Sequence, residues 1–204
     1  PIETANELKS TGKAEPKNYK SVSVMFTDFK DFTIIAEKLS PKELVSEIDY
    51  CFSGFDEITA KFGIEKIKTI GDSYLCAYGI NKSAQKDHST IIKAAKEILV
   101  FMENYQKERE AQGKLGFSIR IGIHTGPIVA GVVGKHKFAY DIWGDAVNTA
   151  ARMEQSSEAG KINISADTYA LVKNDFQCEY RGKVMAKNKG EIDMYFVEES
   201  SKEI

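Results

Sequence analysis

Cysteine is scarce in this chain, and long apolar runs are missing from it. Three cysteines occur among the 204 residues, at positions 51, 76 and 178, each beside apolar or β-forming neighbours. An odd, widely spaced set argues against a disulfide framework or a cysteine metal site, so we predict reduced thiols and a cytoplasmic location. No apolar run approaches the roughly 18 residues that a membrane-spanning helix needs, and the N-terminus lacks a signal-peptide pattern. The chain as given is therefore predicted to be soluble.

An excess of positive charge is also missing. The 28 basic and 30 acidic residues give a net charge of −2, and no basic stretch is interleaved with aromatic residues, which argues against a nucleic-acid partner. A hydrophobic content of 42% over this length suits one domain with a sizeable core. We expect that domain at residues 21–198, followed by a C-terminal tail at 199–204. Residues 1–20 are expected to be a linker or the stub of an upstream signalling helix, in a parent protein with a sensor or membrane region.

The stretch from Ser21 to Thr33 combines a buried strand with polar groups that follow it. Its first half is apolar and rich in β-formers: Val22, Val24, Met25 and Phe26. Asp28 comes where the apolar run stops, and a carboxylate there suits a divalent cation, since hard cations take oxygen ligands. A helical pattern begins at Phe32, so the backbone N–H groups of residues 29–33 are predicted to face outward, where they favour phosphate.

A second carboxylate, Asp72, is the candidate partner of Asp28. Mg²⁺ in phosphoryl-transfer sites is usually held by one or two carboxylates together with the phosphates of the substrate. Asp72 follows the strand-like run Glu65–Ile70 and forms a turn with Gly71 before a second strand, Ser73–Tyr78. Alternatively, Asp28 only caps a helix and Asp72 only occupies a hairpin turn, because Asp is favoured at both kinds of position. The spacing alone leaves both interpretations open.

The remaining pattern predicts a mixed α+β fold. A capping box at Ser40, with Pro41 at the first helical position, begins a helix with one apolar face that Gly63 ends. The run Phe117–Thr125 alternates between apolar and polar residues, which directs Arg120 away from the core. The other predicted elements are helices Phe32–Leu39, Asp87–Ala111, Asp145–Gln155 and one from Asp167, and strands Ile128–Val133, Phe138–Trp143, Ile162–Ser165, Phe176–Val184 and Ile192–Val197. The order strand, helix, hairpin, helix, strand predicts a ferredoxin-like βαββαβ core with additional C-terminal strands and helices.

Asn148 and Arg152 form a second candidate site. They stand four residues apart on the predicted helix after Gly144, so they share a face and can reach one ligand together. The guanidinium fork of Arg suits phosphate oxygens, and Asn can position a hydroxyl or ether oxygen. Taken alone, the two residues fit an ordinary solvent-exposed pair equally well.

Five segments resemble, in their order along the chain, the class III nucleotidyl cyclase catalytic domains, and within that family the adenylyl cyclases. They are FTDFKDFT (26–33), KIKTIGD (66–72), RIGIHTG (120–126), YDIWGDAVNTAAR (140–152) and KNKG (187–190). The resemblance covers roughly residues 20 to 197. It implies that residues 21–198 are a class III adenylyl cyclase catalytic domain, which converts ATP into 3′,5′-cyclic AMP and pyrophosphate.

The resemblance also implies where the metal ions and the triphosphate bind. Asp28 and Asp72 are expected to hold two Mg²⁺ or Mn²⁺ ions per active site, with the carbonyl oxygen of Phe29 as a further ligand. The backbone amides up to Phe32 and Thr33 are expected to receive the triphosphate.

Two residues are implied to read the base. The Lys68 ammonium is expected to donate to a ring nitrogen of adenine, and the Asp141 carboxylate to accept from the exocyclic amine. Ile142, beside Asp141, is also expected to bind the substrate. Guanylyl cyclases of the family tend to carry Glu and Cys at the two positions, so the pair implies ATP as the substrate.

The remaining implied roles concern the transition state and the quaternary structure. Asn148 and Arg152 are the expected transition-state pair, and Arg120 and Lys189 are expected to contact phosphate. In this family each site lies between two protomers: one brings the metal carboxylates, and its partner brings the base-reading and transition-state residues. All of these residues are present here, so a homodimer is expected to hold two complete shared sites.

Two residues depart from the family pattern. Asp31 stands where the family often has Gly, and it adds a negative charge beside the phosphate loop. Asn188 replaces a Gly between Lys187 and Lys189. Both departures concern the predicted phosphate contacts and leave the metal and base-reading pairs intact.

Three alternatives to an adenylyl cyclase remain. A guanylyl cyclase would share the machinery and differ in the base-reading pair. A diguanylate cyclase would share the fold plan, but the chain lacks its Gly-Gly-Asp/Glu-Glu-Phe hairpin. A non-catalytic dimerisation or nucleotide-sensing module would be expected to lack one of the Asp, Asn or Arg residues. The histidines His124 and His136 are expected to support a strand end and a turn rather than to act in catalysis.

Overall fold

The computed structural model describes residues 1–81, 87–134, 136–186 and 190–198. Its strands are β1 (Lys17–Lys30), β2 (Glu65–Ile70), β3 (Ser73–Tyr78), β4 (Ser118–Val133), β5 (Ala139–Trp143), β6 (Ile162–Ser165), β7 (Cys178–Ala186) and β8 (Gly190–Val197). Its helices are α1 (Ile2–Thr11), α2 (Phe32–Ala36), α3 (Pro41–Lys61), α4 (Ser89–Ala111), α5 (Asp145–Gln155) and α6 (Ala166–Val172). Within these described residues, no helix is both long and apolar enough to cross a bilayer.

The described strands form one eight-stranded sheet in the order β2-β3-β1-β4-β6-β8-β7, and β5 pairs with the second half of β4. The first four strands pair antiparallel, while β6 joins β4 in parallel. Helix α3 connects β1 to β2, and α4 connects β3 to β4, which is the βαββαβ plan. The predicted α+β class with a ferredoxin-like core and a C-terminal extension is therefore confirmed.

The alternation of side chains along β1 divides the core into two layers. One side of the strand carries Met25 and Phe29, which belong to a cluster completed by α3 and α4. The other side carries Val24 and Phe26, which pack with Ala150 and other residues of α5. Helices thus cover both faces of the sheet around β1, and α5 is the helix on the second face.

Helix α5 approaches β4 so closely that only glycine fits beneath it. A Cβ atom at Gly122 would lie 1.9 Å from the backbone nitrogen of Glu154. This contact fixes the end of α5 against the centre of the sheet, because any larger residue would separate the two backbones.

Strand β4 is longer than the sequence pattern indicates. The sequence predicts two strands, Phe117–Thr125 and Ile128–Val133, with Gly126 and Pro127 between them, but β4 runs unbroken from Ser118 to Val133. Pro127 is tolerated because β1 shifts register opposite it, between Tyr19 and Val22, and because β5 begins to pair only at Val129. A proline without an N–H donor interrupts no regular pairing there.

Strand β1 is also longer at both ends than expected. It begins at Lys17 because residues 17–19 pair with residues 128–130 of the extended β4. It continues to Lys30, so Asp28 lies inside the strand rather than after it. The N-cap of α2 is Asp31, and this removes the interpretation of Asp28 as a helix cap.

Candidate active site

Asp28 lies in β1, and Asp72 lies in the turn before β3, close enough for the charge of Asp28 to act on it. In the sheet Asp28 is paired with Ser73 on one side and with Arg120 on the other. The Ser73 hydroxyl donates to Oδ2 of Asp28 at 2.6 Å, and Nη2 of Arg120 donates to Oδ1 at 3.1 Å. Asp72 directly precedes Ser73 in a hairpin turn that Gly71 makes possible with a φ of 62°. The turn therefore delivers the second carboxylate beside the first.

The environment of these carboxylates fits a hard divalent cation. Burial first, and then the charge of Asp28, raise the pKa of Asp72 above its ordinary value. A cation between two such groups would relieve both the desolvation and the repulsion. Among the described residues, no group of three or more His, Cys, Asp or Glu side chains could hold a metal ion. A pair of carboxylates is nevertheless a donor set that Mg²⁺ takes when substrate phosphates and water complete its coordination.

Arg120 and Glu154 form an ion pair behind these carboxylates. Nε of Arg120 donates to Oε1 of Glu154, whose residue is only 5% exposed at the end of α5. Burial raises the pKa of Glu154, while Arg120 opposes this effect. Glu154 is not among the residues predicted from the sequence, although it continues the buried stripe of Ala146 and Ala150 at helical spacing. A charge within such a stripe was the available signal.

Lys68 and Asp141 lie in contact, although 73 residues separate them in the chain. Nζ of Lys68 donates to Oδ2 of Asp141 at 2.5 Å, between β2 and β5. The other oxygen of Asp141 accepts from the backbone N–H of Ile142 at 2.9 Å, which orients the carboxylate. The structure therefore brings together the two residues implied to read the base.

Asn148 and Arg152 are exposed on α5, on the side opposite its buried residues. Nη1 of Arg152 donates to the side-chain oxygen of Gln155 at 3.1 Å. Within the part of the chain that the structure describes, no hydrogen bond or ion pair joins Asn148 or Arg152 to the two acidic residues Asp28 and Asp72. The structure therefore does not join this pair to the carboxylate pair inside one chain.

The segment between β1 and α2 presents the predicted phosphate loop. Phe29 is buried and stacks on Phe117 with a centroid distance of 4.6 Å, which anchors the end of β1. Asp31 has a φ of 57° and is the one described non-glycine residue with a positive φ, which explains why the family often has Gly there. The N–H groups of Phe32 and Thr33 fall in the first turn of α2, where a helix offers no internal acceptor.

The other candidates fall outside this cluster. Nδ1 of His124 lies 2.7 Å from Oγ of Ser165 in the core, and His136 is exposed in a turn, which agrees with structural roles. Lys189, the second predicted phosphate contact, lies outside the described residues, as do Lys187 and Asn188.

A domain that has a ferredoxin-like sheet and two neighbouring carboxylates is suited to metal-assisted phosphoryl chemistry. The family model described as "Adenylate and Guanylate cyclase catalytic domain" matches residues 14–199. The chain therefore belongs to the class III adenylyl and guanylyl cyclase catalytic domains. Both adenylyl and guanylyl cyclases are among the proteins similar to it.

One similar protein is an adenylate cyclase of Mycobacterium tuberculosis, 37% identical over 179 residues. That alignment covers 88% of this chain and 40% of the relative, so the chain spans less than half the length of that relative. The guanylate cyclase domain of RhGC from Catenaria anguillulae, solved in complex with GTP, is 34% identical with a TM-score of 0.82 over 89% of this chain and 98% of that one. The adenylyl cyclase CyaB from P. aeruginosa is 29% identical with a TM-score of 0.85 over 93% and 99%.

Proposed function

We propose that this domain is an adenylyl cyclase, which converts ATP into 3′,5′-cyclic AMP and pyrophosphate. The contact between Lys68 and Asp141 is the observation that supports ATP as the substrate. An ammonium can donate to a ring nitrogen of adenine, and a carboxylate can accept from its exocyclic amine. The family resemblance associates this Lys and Asp pair with ATP as the substrate. It associates Glu and Cys at the same two positions with GTP. Guanylyl cyclase activity is the alternative, because a guanylate cyclase domain is among the similar structures.

In the proposed reaction the ribose 3′-oxygen attacks the α-phosphorus of the same ATP. A bond forms between these two atoms, and the bond from the α-phosphorus to the oxygen bridging it to the β-phosphorus breaks. The proton of the 3′-hydroxyl leaves to solvent, and pyrophosphate departs. Such a reaction depends on alignment and on neutralised charge more than on covalent chemistry by the protein. We therefore assign no protein general base.

The carboxylate pair would hold the metal ions that neutralise the triphosphate, and neighbouring donors would bind its oxygens. Asp28 and Asp72 would hold two Mg²⁺ or Mn²⁺ ions, which when bound activate the nucleophile and neutralise the leaving phosphates. Arg120 uses Nε for Glu154 and Nη2 for Asp28, so its Nη1 donors remain available for a phosphate oxygen. The first-turn amides of Phe32 and Thr33 supply further donors, and Lys189 is the additional phosphate contact that the resemblance implies.

Asn148 and Arg152 form the second residue set, which acts on the sugar and on the reacting phosphorus. Asn148 would orient a ribose oxygen, and Arg152 would stabilise the charge that develops as the α-phosphorus becomes five-coordinate. Both are exposed, and Arg152 is bonded to a neutral amide, so its charge is available to an anionic ligand. We propose that a homodimer joins the second set of one protomer to the carboxylate pair of its partner, and that a lone chain is inactive.

The product formed from ATP and GTP side by side tests the proposed reaction. Purified protein with Mn²⁺, at concentrations where it is dimeric, should make cyclic AMP faster than cyclic GMP. Predominant cyclic GMP would favour the alternative, and no cyclic product from either nucleotide would contradict a catalytic role.

Mixing two inactive variants tests the shared site. Asp28→Ala and Asn148→Ala homodimers should each be inactive, because each loses one half of both sites. After subunit exchange, half of the dimers are mixed and hold one intact site of two, so about a quarter of the wild-type activity should return. A mixture of Asp28→Ala with Asp72→Ala is the matched control, since both variants lose the same half and no activity should return. Equal recovery in the two mixtures would contradict the shared site.

A further inference from the structure

Strand β2 contains one extra residue immediately before Lys68. Lys66 pairs with Cys76 of β3, but Lys68 pairs with Leu75, so Ile67 has no separate partner. Two residues of β2 therefore oppose one residue of β3, which is the definition of a β-bulge. Bulges redirect the side chains that follow them, and this one lies next to a residue implied to read the base.

The bulge decides on which face of the sheet Lys68 lies. In an unbroken ladder Lys68 would pair with Tyr74, whose fully buried side chain belongs to the cluster under α3. Directly paired residues share a face, so the lysine would project onto the α3 side. With the bulge it instead shares the face of Leu75, away from α3, and its Nζ contacts Oδ2 of Asp141. The bulge thus brings Lys68 to the side of the sheet on which Asp141 can be reached.

The residue before the bulge is held to α3. Nζ of Lys66 donates to Oδ2 of Asp56 at 2.7 Å and lies 5.1 Å from the centre of the Tyr74 ring. The hydroxyl of Tyr74 donates to the other oxygen of Asp56 at 2.7 Å and lies 3.1 Å from Oγ1 of Thr59. Lys66 and Asp56 are 38% and 45% exposed, so their ion pair alone contributes little stability. The bond from a fully buried tyrosine nevertheless fixes the position of Asp56, and through it the position of Lys66.

We propose that Lys66 and Asp56 are positioning residues for base selection, because they hold the register on one side of the Ile67 bulge and so direct Lys68 toward Asp141. This inference rests on the proposed function, in which Lys68 reads the base. Neither residue touches the nucleotide. Their effect is transmitted along β2 over two residues.

Two substitutions that keep the local packing test the proposal. Asp56→Asn retains an acceptor for Tyr74 and loses the attraction for Lys66, and Lys66→Met retains an apolar stem over the Tyr74 ring. Each should lower the ratio of kcat/KM for ATP to kcat/KM for GTP by about fivefold, mostly through a higher KM for ATP. The kcat for ATP and the Tm of both variants should stay close to the wild-type values. The conservative variant Lys66→Arg should have the wild-type ratio. Lys61→Met is the matched control, since it breaks another ion pair of α3, with Glu97 at 2.8 Å, that has no connection to β2.

The same substitutions in a Lys68→Ala background separate the possible outcomes. If Lys66 acts through Lys68, Lys66→Met should not lower the ratio further once Lys68 is absent. A further fall of similar size would overturn the proposal, and so would an unchanged ratio in Asp56→Asn and Lys66→Met when Lys68→Ala alone lowers it. If Lys68→Ala itself leaves the ratio unchanged, the assignment of Lys68 as a base reader fails, and this inference fails with it.

Discussion

Exchange of the base-reading pair is the most direct perturbation of substrate choice. The variant carries Lys68→Glu together with Asp141→Cys, which places at the two positions the residue types that guanylyl cyclases of the family tend to have. We expect its preference to move from ATP to GTP. The two changes have to be made together, because Nζ of Lys68 lies only 2.5 Å from Oδ2 of Asp141.

The size of the change follows from the number and exposure of the contacts. The variant removes two hydrogen bonds to adenine in which the protein partner is charged, each worth about 1.5–3 kcal/mol. The Lys68 side chain is 42% exposed and that of Asp141 is 18% exposed, so solvent weakens the first contact more than the second. A combined loss of about 2–3 kcal/mol lowers kcat/KM for ATP by about 30- to 150-fold. A comparable gain for GTP would change the ratio by about 10³ or more.

The single Lys68→Glu variant provides an internal check. Its new carboxylate would stand beside Asp141, and two carboxylates that share a site repel each other. We therefore expect this single variant to be less active than the double variant with both nucleotides, so that the two changes are not additive.

Cyclic products are quantified from ATP and from GTP in separate reactions with Mn²⁺, over a range of nucleotide concentrations. Lys183→Glu with Glu191→Cys is a matched control, because it alters an exposed ion pair of 3.4 Å between β7 and β8. A folded, dimeric Lys68→Glu/Asp141→Cys variant that still prefers ATP would refute the assignment of the pair.

Three further predictions concern the carboxylate cluster and the phosphate loop. Glu154→Gln should lower the Tm in thermal denaturation by about 5 °C, because the buried partner of Arg120 loses its negative charge, and an unchanged Tm would contradict this role. Mn²⁺ affinity in titrations should fall as the pH is lowered toward the raised pKa of Asp72, since the carboxylate must be deprotonated to bind, and Asp72→Asn should weaken binding and remove the part of this pH dependence that Asp72 contributes. Without metal, the folding stability contributed by Asp72 changes with pH in the opposite direction. A raised carboxyl pKa contributes stability at low pH, and this contribution is lost as the pH rises through that pKa. Asp31→Gly should raise the free energy of unfolding by about 0.5–1 kcal/mol by relieving a φ of 57°, and should lower the KM for ATP. Asp31→Asn should lower the KM alone, because it removes the charge and keeps a side chain at that φ.

The elements predicted best from the sequence are those whose boundaries are set by local signals. Strands β2 and β3 and helix α5 have the predicted limits, because the Gly71 turn and Gly144 mark their ends. The capping box at Ser40 is present, with its backbone N–H donating to Oε2 of Glu43 at 3.0 Å. Glycine at a positive φ and a capping side chain act within a few residues of themselves, so a sequence reading can detect them.

The elements predicted less well are set by partners far away in the chain. The start of β1 and the continuity of β4 through Pro127 depend on pairing between residues about 110 apart, which local composition does not reveal. The bulge at Ile67 is a similar case, because a regular strand would direct Lys66 and Lys68 to the same face. The family resemblance identified Lys68 and Asp141 as partners, but the contact that orients Lys66 required the position of Asp56 on α3.

The charges of the two residue sets also argue for a partner protomer. Asp28 already has a cationic neighbour in its own chain, Arg120, and Arg120 in turn has Glu154. Arg152 differs, since within the described residues its hydrogen bond goes to the neutral Gln155 and no carboxylate lies within ion-pair distance. A guanidinium exposed on a helix without an acidic partner costs little in water and remains free to pair with an incoming polyanion. We therefore expect Arg152→Ala to leave the free energy of unfolding almost unchanged while it abolishes cyclase activity, whereas Glu154→Gln, on the same helix, should reduce stability.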